Sequence, residues 1–295
     1  AVPDAGAATW CNGTTGRTGT ISSSNSLVGT TSGDMGNLIV VPLSNGNYVV
    51  VNTNWDNGAI TDVGAVTWCN GTTGRTGTVS SSNSLVGSTA FDIVGAGGAT
   101  ALSNGHYVVN SYAWDNGASN SAGASTWCDG TSGRTGTISS SNSLVGSSTD
   151  DNVGVTTVAL PNGNYVVISS AWNNGAIIDA GAVTWGNGTS GITGTISSSN
   201  SLLGSVNSDR VGNPGIVVLT NGNYVVRTSN WDNGAITNVG AITWCDGTLG
   251  LSGLVSSSNS LVGATSSDQI GSSGVLALTN GNYVISSSNF DNGSL

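Results

Sequence analysis

Five loops of this 295-residue chain set an aromatic ring beside a carboxylate or an amide: Trp55-Asp56, Trp114-Asp115, Trp172-Asn173, Trp231-Asp232 and Phe290-Asp291. That pairing is the chemistry of a sugar site. A ring covers the apolar C–H face of a pyranose, and the polar neighbour orients on its hydroxyls. These ten residues are the candidate ligand-binding set. A plainer reading stands beside it: the ring packs between structural units, and Asp-Asn-Gly is turn chemistry. A second series, Asp34, Asp92, Asp151, Asp209 and Asp268, supplies weak candidates for Ca²⁺, provided each meets carbonyls and a second carboxylate. A hydrogen bond from each Asp to its own loop backbone is the expected alternative.

Other reactive types are sparse. His106 is the single histidine, at a hairpin tip where the other copies have Asn, which is a poor place for a Ser-His-Asp triad. Paired glycosidase carboxylates need unlike residues in unlike surroundings. Near-identical copies without Glu leave little room for them, so we expect no enzyme activity and no catalytic residue. Cys11, Cys69, Cys128 and Cys245 hold one equivalent position in different copies, with Gly186 in the fourth. A disulfide needs Cα atoms within about 7 Å, so free, largely buried thiols are expected. Arg17, Arg75 and Arg134 give way to Ile192 and Leu251 elsewhere, as at an exposed tip. Asn12, Asn70, Asn187 and Asn292 open glycosylation sequons, but Asp129 and Asp246 replace two of them, and turn geometry suffices.

The elements that position these residues come from repetition. Gly-Ala-x-Thr-Trp recurs at Trp10, Trp68, Trp127, Trp185 and Trp244, in steps of 58, 59, 58 and 59. Asn-Gly-x-Tyr-Val keeps step at Tyr48, Tyr107, Tyr165, Tyr224 and Tyr283, so one unit is copied along the chain. In each copy two β-branched runs, strands a and b (Ile216 to Leu219 and Tyr224 to Thr228), flank Asn-Gly, the strongest short hairpin signal, which predicts a type I′ turn. A third run, strand c (Ala241 to Cys245), is followed by a fourth, strand d, around Leu254 to Ser256. No segment has helical apolar spacing. The expected fold is all-β: a closed five-bladed β-propeller with four antiparallel strands per blade, residues 1–295 forming a single domain. The blades span about 37–92, 93–150, 151–208 and 209–267, and the last is shared between the termini as 268–295 plus 1–33. The long b–c and d–a loops lie on one face, which is where function is expected.

Composition narrows the partners. There are 5 cationic and 15 anionic side chains, all Arg and all Asp, and the net charge is -10. Such a chain neutralises few phosphates, which argues against nucleic acid, and an anionic bilayer repels it. No apolar run approaches the ~20 residues of a membrane span. Solubility rests on Ser, Thr, Asn and the backbone, with 46 glycines, a style that suits an extracellular bacterial surface protein. No motif asks for a cofactor. The chain opens within a repeat, as a processed product or a piece of something longer would.

Leu-Ser-Asn-Gly-Asn-Tyr-Val-Val (43–50) and Gly-Ala-Val-Thr-Trp-Cys-Asn-Gly-Thr-Thr-Gly (64–74) resemble tandem repeats of large bacterial haemagglutinin-like and filamentous adhesin-like surface proteins, in which Gly is common at the position of Cys69. The resemblance covers essentially the whole chain and implies secretion, adhesion or surface display, and no reaction. The expected function is therefore a non-enzymatic, multivalent, lectin-like binding or adhesion module whose partners are glycans or another surface protein. The alternative is a structural surface-layer, fibre or spacer unit that self-assembles and takes no small ligand.

Overall fold

A computed structural model describes residues 2–292. They form strands, turns and bends; no helix is long and apolar enough to cross a membrane. Six small sheets follow one another along the chain. Sheet II shows the full pattern: a (Leu38–Pro42), b (Tyr48–Asn52) and c (Ala65–Cys69) run antiparallel, Leu85–Val86 follows, and Gly136–Thr137 adds a fifth strand. Sheets III and IV repeat it, and sheet V stops at its fourth strand, Ser260–Val262.

The b strand is apolar without a break because both of its faces are covered. Side chains alternate across a strand, so Val49 and Val51 of sheet II enter one core with Tyr107 and Val109 of sheet III, while Val50 enters another with Leu27 and Met35 of the preceding copy. All three valines are 0–1% exposed. Burying one such side chain stabilises by roughly 1.5–3 kcal/mol, and here that gain exists only where two sheets meet. Each copy thus depends on its neighbours, as in other repeat arrays.

Two expectations need correction. The residues taken for strand d do not stay in their own sheet. Gly253–Leu254 pairs in parallel with Ser201–Leu203 of the preceding sheet, and Gly77–Thr78, Gly136–Thr137 and Gly194–Thr195 cross in the same way. Gly77, Gly136, Gly194 and Gly253 hold φ of 89–103°, which side-chain-bearing residues rarely adopt, and this turns the chain outward. The own-sheet fourth strand is instead Leu85–Val86 and its equivalents, and the crossing strand gives the first four sheets one parallel edge each.

The a–b connection is a three-residue loop. The Leu43 N–H donates to Asn47 O at 2.8 Å and the Gly46 N–H to Leu43 O at 3.1 Å. Only Gly46 has positive φ, at 85°, and Asn45 does not, which fits a type I turn closed by a left-handed Gly in place of type I′.

Among the described residues no sheet is closed. Ala7–Ala8 pairs with Leu27–Val28, and Tyr283–Ser286 pairs with Gly274–Ala277. Each half-sheet already has its apolar face covered by the sheet beside it: Leu27 packs with Val50 and Ala65, and Val275 and Ile285 pack against Ile242 and Ile270. The opposite faces stay open, with Leu276 and Val284 exposed. The inner ends of the a strands share one groove of about 630 Å³, lined by Pro42, Leu43, Ala101, Leu102, Ala159, Leu160 and Val218 among others, so four sheets turn about a common side.

Candidate functional site

The two rims of the array differ, as the loop lengths predict. On the long-loop rim each d–a aspartate is fully buried. Asp92 shows why. Its Oδ2 accepts from the Ser88 and Thr89 N–H at 2.6 and 2.8 Å, and its Oδ1 accepts from the Asp115 N–H, in the next sheet's b–c loop, at 3.0 Å. Asp151, Asp209 and Asp268 repeat the triplet onto Asn173, Asp232 and Asp291, and Asp34 does so onto Asp56. The expected bond to the loop's own backbone is present, and each carboxylate also staples its loop to the following sheet. Both oxygens are thereby aimed at N–H groups, which disfavour a cation. Among the described residues no group of three or more His, Cys, Asp or Glu converges.

The staple holds strain. Residues flanking the buried aspartate have positive φ: Phe91 (66°) and Ile93 (45°), Asp150 (62°) and Asn152 (49°), Ser208 (64°) and Arg210 (49°), Ser267 (68°) and Gln269 (45°). A β-branched residue such as Ile93 seldom sits there, and such conformations persist where their surroundings over-determine them.

The b–c loop partners are placed differently from a sugar platform. Trp55, Trp114, Trp172 and Trp231 are 3–4% exposed and lie in the inter-sheet cores, so these rings present no face to a ligand. Phe290 is half exposed. Asp56, Asp115 and Asp232 accept from backbone N–H six residues on (Asp62, Ser121 and Asn238), and Asn173 does the same from Asp179. Four of the five polar members of the pairs thus fix loop geometry.

Burial pushes the Asp92, Asp151 and Asp209 carboxyls up, against the pull of three backbone N–H groups each. At Asp34 burial also raises, but the Thr31 hydroxyl and the N–H groups outweigh it, and the Thr265 hydroxyl followed by backbone N–H groups holds Asp268 low. The signs set a pH dependence. The three raised groups bind their protons more tightly folded than unfolded, so stability rises as pH falls from their folded values toward the ordinary Asp value of about 3.9. The two lowered groups contribute stability above that value and lose it as pH falls through their folded values. Calorimetry should therefore give a melting temperature that rises as the pH is lowered toward about 4, the ordinary Asp value, and falls again below it as the lowered groups take up protons. A continuous fall as the pH is lowered toward about 4 would contradict the raised set.

On the opposite rim the marker tryptophans, read from the sequence only as a spacing signal, join sheets. The Trp68 indole N–H donates to Gly130 O of the next sheet at 2.9 Å, and Trp10, Trp127 and Trp185 do likewise to Gly71, Gly188 and Gly247. The Asn45 and Asn47 side chains donate to the same Gly130 carbonyl. Gly74, Gly133, Gly191 and Gly250 are required because the preceding Trp lies against them. The one signal that could have exposed this is the fixed offset between Trp and the next copy's Asn/Asp-Gly.

His106 fits the same scheme. Its Nδ1 accepts the Gly130 N–H at 3.1 Å, as Asn47 and Asn164 Oδ1 accept Gly71 and Gly188. The same nitrogen lies 3.5 Å from Asp129 Oδ1. Asn12, Asn70, Asn187, Asp129 and Asp246 all cap their own turns. The four cysteines are free. Cys69, Cys128 and Cys245 are buried, which pushes their thiols up to about 12, and Cys11 is exposed.

These features define an all-β tandem-repeat array whose recurrent side chains join one copy to the next. The chain belongs to the family described as a repeat of unknown function (DUF5650), which it matches at residues 1–37, 42–96, 101–155, 159–213, 218–272 and 277–295. Four matches are full copies, and the first and last are partial. No curated protein matches the chain.

Proposed function

We propose that this chain is a structural array, a surface fibre or spacer segment without a small-molecule ligand. The observation that carries this reading is the fate of the recurrent residues. The b–c tryptophans, the d–a aspartates, four of the five marker tryptophans and the turn asparagines are engaged between or within sheets. A binding module would spend at least one of these series on an exposed surface. The low charge, the Ser/Thr/Asn-rich exterior and the resemblance to adhesin-like repeats support placement outside a bacterial cell. A closed five-bladed propeller is the competing architecture for the same two ends.

A glycan array probed with the labelled chain, paired with thermal melts in mixed saccharides, tests the reading. No array hits and no saturable rise in melting temperature are expected. A saccharide that raises the melting temperature with saturation would show a bound ligand and return the protein to the lectin-like reading.

A further inference from the structure

Asn-Gly is a dipeptide open to spontaneous loss of the side-chain amide, because glycine puts no Cβ in the way when its backbone nitrogen turns on the preceding Asn Cγ. The chain carries it at three places in a copy: the a–b turn, the b–c loop and the c–d turn. In two of these series both reacting groups are held. At the a–b turn Asn45 Nδ2 donates to Gly105 O and Gly130 O at 3.1 and 2.8 Å, and Asn104 and Asn162 Nδ2 donate to Gly188 O and Gly247 O. The Gly46, Gly105 and Gly163 N–H groups that follow each donate to a leucine carbonyl. At the c–d turn Asn70 and Asn187 Oδ1 accept from the Thr72 and Thr189 N–H, while the Gly71 and Gly188 N–H donate to Asn47 and Asn164 Oδ1.

The b–c series is different. Asn57 and Ile60 exchange backbone hydrogen bonds of 2.9 and 3.2 Å, which closes a two-residue tip of Gly58 and Ala59; Asn174 with Ile177 and Asn233 with Ile236 do the same. The Gly58, Gly175 and Gly234 N–H groups have no hydrogen-bond partner among the described residues, and neither have the Asn57, Asn174 and Asn233 side chains. A Cβ built on any of these glycines would meet nothing within 4 Å, so the space beside the attacking nitrogen is open. Asn116, the remaining member, is tied down: its Nδ2 donates to Gly146 O at 2.8 Å. Asn116 and Asn174 are both half-buried and both precede Gly-Ala, so this bond is what separates them.

We propose that Asn57, Asn174 and Asn233 are sites of spontaneous modification that deamidate through a cyclic imide, while Asn116 and the held turn asparagines stay intact. The Gly58 nitrogen gives its proton to solvent base and bonds to Asn57 Cγ. The Cγ–Nδ2 bond breaks, and the amide nitrogen takes up a proton and leaves as ammonia. Water then opens the five-membered ring at either carbonyl, giving aspartate or isoaspartate with no change of oxidation state. Each event turns a neutral amide into a carboxylate, in the first tip one residue from Asp56. The isoaspartate product also puts a methylene into the backbone of a tip that two hydrogen bonds close. In that loop the Asp56 N–H donates to Asp34 Oδ1, and Asp56 Oδ1 accepts the Asp62 N–H, so the change acts on the staple between copies. The inference holds whether or not the array takes a ligand.

The test ages the full chain in mildly alkaline buffer, cleaves it at its arginines and locates the modified residues by fragmentation mass spectrometry, with isoaspartyl methyltransferase labelling the isoaspartate. Asn57, Asn174 and Asn233 should convert at least about fivefold faster than Asn116, the factor that one hydrogen bond supplies. In urea, where no bond holds them, Asn116 and the turn asparagines should catch up. A chain with Asn57→Gln, Asn174→Gln and Asn233→Gln, whose longer side chains cyclise far more slowly, should keep its charge and melting temperature on ageing, while the wild type becomes more acidic and melts lower. Native conversion of Asn116 as fast as Asn174, or first conversion at the a–b turn, would overturn the assignment. So would a native chain that stays unmodified while the unfolded chain deamidates.

Discussion

Replacing Trp172 by alanine should lower the free energy of unfolding by about 3–5 kcal/mol, the usual range for deleting a buried large aromatic. The ring is 3% exposed between sheets III and IV, in one core with Leu102, Val108, Leu144, Tyr165, Val167 and Leu203. Its indole N–H has no hydrogen-bond partner among the described atoms. The loss is thus one of packing, and Trp172→Phe should recover most of it. Because the site is central, the damage also falls on the coupling between halves of the array. Repeat arrays are stabilised by nearest-neighbour interfaces, so urea unfolding of Trp172→Ala should broaden or split into two transitions where the wild type shows one. Phe290, half exposed at the tail, is the internal control: Phe290→Ala should cost under about 1 kcal/mol, a fraction of the full-burial value. Near-wild-type stability of Trp172→Ala would remove the argument that these rings are structural.

Periodicity and hairpin signals carry most of the architecture before any coordinates. Strands a, b and c fall where β-branched runs and the Asn-Gly turn place them, because a run such as Tyr48–Asn52 has few other stable solutions. The separation of long and short loops onto opposite rims follows from the same order. The crossing strand is different. Gly77–Thr78 is two residues long and carries no alternation, so nothing local says whether it pairs at home or next door. The Trp-Asp loops are ambiguous for a related reason. An aromatic beside a carboxylate reads alike whether the ring faces a sugar or the adjoining sheet, and only the neighbouring copy decides. Asn45 is instructive too: its residue type suggests a positive-φ turn position, yet Gly46 takes that role, and the Asn amide is used as a hook into the next sheet. Long-range partners chosen by the array as a whole are what one copy cannot display.

Asp151→Ala should be nearly as damaging, for a different physical reason. Its carboxylate accepts from the Ser147 and Ser148 N–H at 2.8 Å and from the Asn173 N–H at 2.9 Å. Alanine orphans three donors beside a fully buried position, and each unsatisfied donor costs about 1–3 kcal/mol. Relief of the buried charge offsets part of this, leaving a loss of about 3–5 kcal/mol against the full penalty. The carboxylate also holds Asp150 and Asn152 in the left-handed region, at φ of 62° and 49°, so its removal lets the loop relax away from sheet IV. Asp151→Asn separates the two roles. One amide oxygen can serve either Ser147 and Ser148 or Asn173, never both sets, so it should fall between wild type and alanine, at roughly 1–3 kcal/mol for the donors left unpaired. Hydrogen exchange gives the local readout: the Asn173 amide should lose protection in Asp151→Ala, whereas in Asp151→Asn the loss falls either there or at Ser147 and Ser148, and the central strand Tyr165–Ser169 stays protected. Retained protection at Asn173 in Asp151→Ala would mean that the carboxylate is not what ties one copy to the next on this rim.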